Sequence, residues 1–165
     1  MDLDRYFAPR PVDVDSMVEC LRYRAEQQPA DWWEGVCRNT RVLTASHSEL
    51  RSHIAGIGVS GHMLGCLPVD SEGNALRACM IHSDCRATGP CEIVQGRIGR
   101  DAIYRLPGNI LDPRSSLCKV LCVKANEPDV YERTARFLQS KDYVVGRMTG
   151  NFNSTDYSDA SHAQW

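Results

Sequence analysis

Between His53 and Ile81 the chain strings together three apolar runs, each closed by residues that favour turns. His53-Ile54-Ala55-Gly56-Ile57-Gly58-Val59 runs into Ser60-Gly61, Leu64 to Val69 into Asp70-Ser71-Glu72-Gly73-Asn74, and Ala75 to Ile81 into His82-Ser83-Asp84. Runs this short, framed by turn residues, predict buried strands, and the Asp-to-Asn turn between the second and third predicts a hairpin. The flanks follow another period. Asp31 offers a helix N-cap with Glu34 three residues on, and Trp32, Trp33, Val36, Cys37 and Val42 recur at helical spacing, which predicts a helix over 31–44. Downstream, Ile93, Val94, Ile98, Ile103 and Leu106 predict one or two short helices broken at Pro107-Gly108-Asn109. Leu117, Val120, Leu121 and Val123 predict a helix stopping near Pro128, and two more are expected over 129–137 and 143–148. A strand cluster followed by helices predicts an α/β or α+β domain. Residues 1–24, with Pro9, Pro11 and alternating Val and Asp, show no period and stay unassigned.

Composition narrows the function classes. With 42% hydrophobic and 24% charged residues in 165, the chain can bury a core of ordinary size and is not a disordered segment. A formal net charge of −2 argues against a general nucleic-acid binder, whose phosphate contacts need a basic surface. No apolar run approaches the roughly 20 residues of a membrane span. The opening MDLDRYFAPRP has two acids in its first four residues and no apolar stretch, unlike a secretory leader, so a cytoplasmic location is expected. The eight cysteines, Cys20, Cys37, Cys66, Cys79, Cys85, Cys91, Cys118 and Cys122, form no Cys-x-x-Cys pair. Only His82 and Cys85 approach the two-to-four spacing of a structural zinc pair, and no second pair matches them, so no metal site is expected. Reduced, mostly buried thiols acting as small apolar residues fit better.

Few residues point to chemistry by themselves. Ser60-Gly61-His62, at a predicted strand end, could place a polar group at a pocket mouth, or could be an ordinary turn. Asp84 and Arg86 could orient a hydroxylated ligand or simply pair. Gly56-x-Gly58 lies inside an apolar run rather than a strand-to-helix turn, which excludes a dinucleotide loop. The Gly-x-Ser-x-Gly order of a nucleophile elbow is absent around Ser60. His47, His53 and His162 have no partner visible in sequence.

The ordered set of segments says more. Glu26-Gln27-Gln28-Pro29-Ala30-Asp31-Trp32-Trp33 resembles the "EQ-P-DWW" segment of the FGGY carbohydrate kinases, and Ile57-Gly58-Val59-Ser60-Gly61-His62-Met63-Leu64-Gly65 their "IGVSGQMHG" loop. Asp70 to Arg77 resembles the hairpin turn that follows, and Ile81 to Arg86 the "W-x-D-x-R" segment. Leu106-Pro107-Gly108-Asn109 resembles "LTGN", Asn126 to Tyr131 "NEPEVY", and Lys141-Asp142-Tyr143 "PKDY". Arg147 to Gly150 and Thr155 to Ser161 complete a series covering about residues 25–165, in the family's order and nearest its xylulokinase-like members.

The resemblance implies an α/β, actin-like (ribonuclease H-type) fold and transfer of the γ-phosphate of ATP, with Mg2+, to a sugar hydroxyl, most readily of a ketopentose such as xylulose. That chemistry needs phosphate-cradling loops, a metal and a carboxylate to take the hydroxyl proton. On the family's pattern the sugar-facing positions are Met63 and Leu64, with His62 standing where Gln is usual and Leu64 where xylulokinase-like members carry His. A leucine cannot hydrogen-bond a hydroxyl as an imidazole can. Asp84 and Arg86 keep the acid and base of "W-x-D-x-R", while His82 replaces its Trp. Arg105 and Arg114 match substrate-facing positions in some relatives. The family's Asp-x-Gly-Thr phosphate loop and catalytic Asp have no counterpart here, so no catalytic residue is assigned. The expectation is a partial sugar-binding domain over 25–165, lacking the first strands and the entire second domain. Such a chain would bind sugar but neither ATP nor Mg2+ alone, and would be inactive by itself. The alternative is a non-catalytic remnant, or a sugar-binding fragment dependent on a partner as a dimer or with a complementing chain. A cysteine-based metal or redox protein is the reading from another class.

Overall fold

The computed structural model describes residues 23–163. Residues 1–22 of the unassigned stretch 1–24, with Cys20, and the terminal Gln164 and Trp165 lie outside the described residues. In chain order the elements are β1 (Glu26–Gln27), α1 (Pro29–Ser46), a short 3-10 turn (Ser48–Ser52), β2 (Leu67–Val69), β3 (Cys79–Met80), α2 (Thr88–Ile98), α3 (Arg100–Arg105), α4 (Ser116–Asn126), α5 (Pro128–Arg133), β4 (Arg136–Leu138), α6 (Ser140–Thr149) and α7 (Tyr157–Ala163). The expected helices of the flanks are all present, α1 with Pro29 in its first turn, where the missing N–H is harmless. No described helix is long and apolar enough to cross a membrane.

The strands form a narrow antiparallel layer. β1 pairs with β3, Glu26 opposite Met80, and β2 pairs with β4, Leu67 opposite Leu138. A bridge between Cys66 and Met80 joins the two ladders, giving the order β1-β3-β2-β4. Side chains alternate across a strand, and here the alternation decides which helices cover which face. Cys66, Met80 and Phe137 turn towards Val120 and Val123 of α4 and Val130 and Tyr131 of α5. Leu67, Val69, Cys79 and Leu138 turn the other way, against Trp32 and Trp33 of α1, Tyr143 of α6 and Phe152. A third apolar cluster, Ala87, Cys91, Ile103, Leu111, Cys118 and Cys122, locks α2 and α3 onto α4. The expected α/β architecture is thus a thin sheet between two helical layers.

Two sequence expectations are corrected. The run His53–Val59 forms no strand: residues 54–62 are irregular, and Ile54 and Ile57 are 53% and 66% exposed. A strand buried on both faces needs neighbours on each, and a Cβ built on Gly56 or Gly58 would meet no described atom within 4 Å. The helix expected over 129–137 stops at Arg133, and Arg136–Leu138 becomes β4, because pairing with β2 buries Phe137 and Leu138 better than another helical turn could. The strands expected over 64–69 and 75–81 shrink to β2 and β3, which meet only through isolated bridges, but the turn between them is as expected. Asp70 caps it, its carboxylate accepting from the Glu72 and Asn74 amides at 3.0 and 2.8 Å.

Phe152 is wedged between two glycines. A Cβ on Gly73 or on Gly146 would overlap its ring, and Gly146 sits on the buried face of α6. Gly146→Ala is expected to destabilise the fold by about 1–3 kcal/mol through this overpacking. A urea midpoint unchanged from wild type would show that Phe152 moves aside freely.

Candidate sugar-facing site

The loop Ser60–Gly65 has no regular secondary structure, yet its backbone groups are individually held. Ser140 Oγ donates to His62 O at 3.2 Å, Lys119 Nζ to Leu64 O at 2.7 Å, Ser116 Oγ to Gly65 O at 2.8 Å, and the Gly65 amide donates to Gln139 Oε1 at 2.5 Å. Gln139 Nε2 in turn donates to Ser116 Oγ at 3.0 Å. These anchors come from the starts of α4 and α6, and all four residues are buried. Buried backbone groups left without partners are costly, so this polar cradle substitutes for the ladder that a strand would have supplied.

Within the loop, Met63 is 47% exposed and Leu64 adopts φ 59°. That left-handed conformation is unusual for a branched L-residue and persists only when its surroundings hold it. His62 is half-buried. Its ring lies 5.5 Å from Trp32, edge to face, and 5.9 Å from the His82 ring. Neither His62 ring nitrogen has a hydrogen-bond partner among the described residues. Burial holds its pKa below the usual histidine value, and His82 and Lys119 push the same way.

Asp84 is fully buried and already engaged. Its carboxylate accepts from the Ala25 amide at 2.8 Å and from Arg86 at 3.0 Å through Nε and 2.5 Å through Nη2. Burial opposes its charge, but the Arg86 guanidinium and the Ala25 amide outweigh it and hold Asp84 below the usual carboxylate range. Arg86 also reaches Glu26 at 2.6 Å; Glu26 pairs with Arg77, which binds Glu127 at 2.8 Å. This chain of charges fastens β1 to the 84–86 turn and to the junction of α4 and α5. The pairing of Asp84 with Arg86, one of the two sequence readings, is present in the structure.

The other two predicted residues stand apart. Arg105, in the last turn of α3, is exposed and makes no hydrogen bond or ion pair with the other six. Arg114 is exposed and binds Asp112 at 2.6 Å, beside a cavity of about 410 Å³ lined by Cys91, Glu92, Gln95, Arg100, Ile103 and Asp112 among others. The structure therefore brings the His62 and His82 rings together, with Met63 and Leu64 next along the loop, ties Asp84 and Arg86 to β1, and leaves Arg105 and Arg114 on α3 and the 110–114 segment.

Sequence reasoning missed Lys119. It is fully buried, and its ammonium donates to Leu64 O and Ile81 O, each at 2.7 Å. Burial lowers its pKa from the usual lysine value. Its only signal in the sequence is a charged residue one place after Cys118, on the apolar face of an otherwise regular helix. Gln139 and Ser116 were missed for the same reason: residue types that are usually exposed. The thiols behave as expected. Cys66, Cys79, Cys91, Cys118 and Cys122 are buried and unpaired by disulfides, and burial pushes Cys79 up to about 12.

The model of the FGGY family of carbohydrate kinases, N-terminal domain, matches residues 15–165. The chain belongs to this family. It is 30% identical over 141 residues to the xylulose kinase of Escherichia coli (strain K12), a match covering 86% of this chain and 28% of that one. With the xylulose kinase of Bacillus subtilis (strain 168) it shares 34% over 137 residues, 83% of this chain and 27% of that one. Among solved structures, a kinase from Brucella ovis superposes with a TM-score of 0.78 at 31% identity, covering 95% of this chain and 30% of that one. The fold is also that of the xylulose kinase from Rhodospirillum rubrum, TM-score 0.80 at 24% identity over 85% of this chain and 28% of that one. This FGGY chain thus has the sugar-kinase version of the actin-like ATPase fold and spans a little over a quarter of the length of the curated relatives it matches.

The family is ATP-dependent and implies a metal-bound nucleotide. Magnesium takes oxygen ligands from carboxylates and phosphates. Among the described residues no three His, Cys, Asp or Glu are grouped to hold a metal ion. Where three carboxylates do meet, Asp142, Asp156 and Asp159, the ammonium of Lys141 already binds all of them, at 2.6, 3.0 and 2.8 Å. The described carboxylates therefore do not fit a magnesium site.

Proposed function

We propose that this FGGY chain contributes the sugar-facing part of a cytoplasmic kinase that phosphorylates a hydroxyl of a ketopentose such as xylulose. The observation that carries the reading is the 60–65 loop. Its backbone is anchored at four points while Met63 is left exposed, next in sequence to His62, whose ring lies near that of His82. Rigid backbone with free side chains suits recognition, because little motion has to be frozen when a ligand arrives. The xylulose kinases among the relatives motivate the choice of sugar. The free, buried thiols suit a reducing compartment. Residues 25–165 are assigned to the sugar-binding domain. Transfer itself needs a phosphate loop and a proton-accepting carboxylate, neither of which has a motif in this sequence. The chain alone is therefore expected to bind D-xylulose without D-xylulose-dependent ADP release from MgATP, and such release from the purified chain would overturn that part of the proposal.

Leu64 offers the sharper test. Histidine tolerates positive φ better than leucine, and its ring can hydrogen-bond a sugar hydroxyl. Leu64→His is expected to tighten D-xylulose binding about 2–10-fold, the worth of one net hydrogen bond, as measured by calorimetric titration. Weaker or unchanged binding would remove Leu64 from the sugar contact.

A further inference from the structure

We propose that Lys119 is a positioning residue for the sugar-facing loop, its ammonium clamping two segments 55 and 38 residues distant so that they present one surface. The inference rests on the sugar reading of that loop.

Lysine is among the residues least often fully buried, and an ammonium taken out of water needs compensation. Here the compensation is two backbone carbonyls, with no carboxylate among the described residues bound to it. Those carbonyls are not arbitrary. Leu64 O belongs to the residue held at φ 59°, next to Met63. Ile81 O belongs to the residue preceding His82, on the turn that leads to Asp84 and Arg86. One nitrogen therefore ties the loop carrying His62, Met63 and Leu64 to the turn carrying His82, and the facing of the two imidazoles at 5.9 Å follows from that tie.

A purely structural need would be poorly served by this arrangement. Ile81 O already accepts the Asp84 amide at 3.0 Å, and the sheet bridge next to the loop, Cys66 to Met80, closes without the lysine. Replacing a buried charge with an apolar side chain relieves its desolvation, which roughly offsets the loss of a donor to the carbonyls. The global fold is therefore expected to lose little on Lys119→Leu, and the cost falls locally on Leu64, whose carbonyl loses its donor. Backbone strain held in place at a loop is often the signature of a functional geometry.

The test uses the full chain labelled with [methyl-13C]methionine, in which Met63 reports on the loop and Met148, on α6, reports on the fold. D-Xylulose is expected to shift the Met63 methyl signal of the wild type. In Lys119→Leu the Met148 signal stays in place and the melting temperature stays within a few degrees. The Met63 signal moves even without sugar, and the D-xylulose affinity falls at least tenfold. Equal affinity in the two proteins would overturn the positioning role and leave the sugar reading standing. Absence of any D-xylulose effect on the wild type would overturn the sugar reading and the role with it. Should Lys119→Leu fail to fold, hydrogen exchange on the wild type decides. Bound D-xylulose is expected to protect the amides of 62–65 and 81–86 together, and protection confined to one segment would overturn the clamp.

Discussion

Asp84→Asn is expected to remove about 3 kcal/mol or more of stability at neutral pH, a large part of the 5–15 kcal/mol that holds a typical domain together. The substitution is isosteric, so packing is unchanged, but one accepting oxygen becomes an NH2 donor that faces other donors, and charge and hydrogen bonding are lost together. The neutral amide cannot compensate the Arg86 guanidinium, whose side chain is only 6% exposed, and leaves Glu26 to serve both Arg86 and Arg77. Removing one member of a buried pair strands the other, which is why the loss exceeds what the pair contributes when intact. The pH dependence has a definite sign. Asp84 titrates lower in the folded state than its unfolded value near 4. Its contribution is therefore fully present above that value and is lost as pH falls through the folded one. The gap between wild type and Asp84→Asn should be wide at pH 7 and narrow towards pH 3, as read from urea midpoints. If the variant melts like wild type at pH 7 but binds D-xylulose more weakly, Asp84 is part of the pocket floor rather than its support.

That distinction marks where the sequence stops being legible. The helices were readable because apolar residues repeat along one face: Trp32, Trp33 and Val36 in α1, Val120 and Val123 in α4. The Asp70–Asn74 turn was readable because an Asx side chain closes it locally. The run His53–Val59 has the pattern of a buried strand, and pattern alone cannot supply the neighbouring strands that would bury it. Phe137 fits a helical repeat and a strand equally well, and only its pairing with Pro68 decides for the strand. The site divides in the same way. His62, Met63 and Leu64 were found because the ordered segments resemble a kinase loop. Lys119, Gln139 and Ser116, which hold that loop, went unseen because they are polar residues whose burial depends on backbone groups 38 to 74 positions away, and no local period encodes such a contact.

Lys141→Met is expected to unfasten α7. The ammonium of Lys141 is the shared partner of Asp142 and Asp159, both nearly buried, and of the more exposed Asp156. Three acids on one cation leave an excess of negative charge even in the wild type, and without the lysine the two buried carboxylates face each other uncompensated. Stranding them is worth about 3 kcal/mol. The far end of α7 is tied separately, Asn109 Nδ2 donating to Ser161 Oγ at 2.7 Å and Ser161 Oγ to Pro107 O at 2.9 Å. The helix can therefore lift from α6 without global unfolding, so the loss should appear locally. Protection of the α7 amides from hydrogen exchange is expected to fall about a hundredfold at pH 7, the equivalent of that energy at 1.4 kcal/mol per decade, while the amides of β2 and α4 change little. A lysine acting only through its aliphatic stem would leave the α7 protection unchanged, because methionine keeps most of the stem. The Ser161 tie makes a second, additive demand. Combining Lys141→Met with Ser161→Ala should release α7 more than either change alone, because the two fastenings share no partner, Lys141 holding Asp156 and Asp159 while Ser161 is held by Asn109 and Pro107.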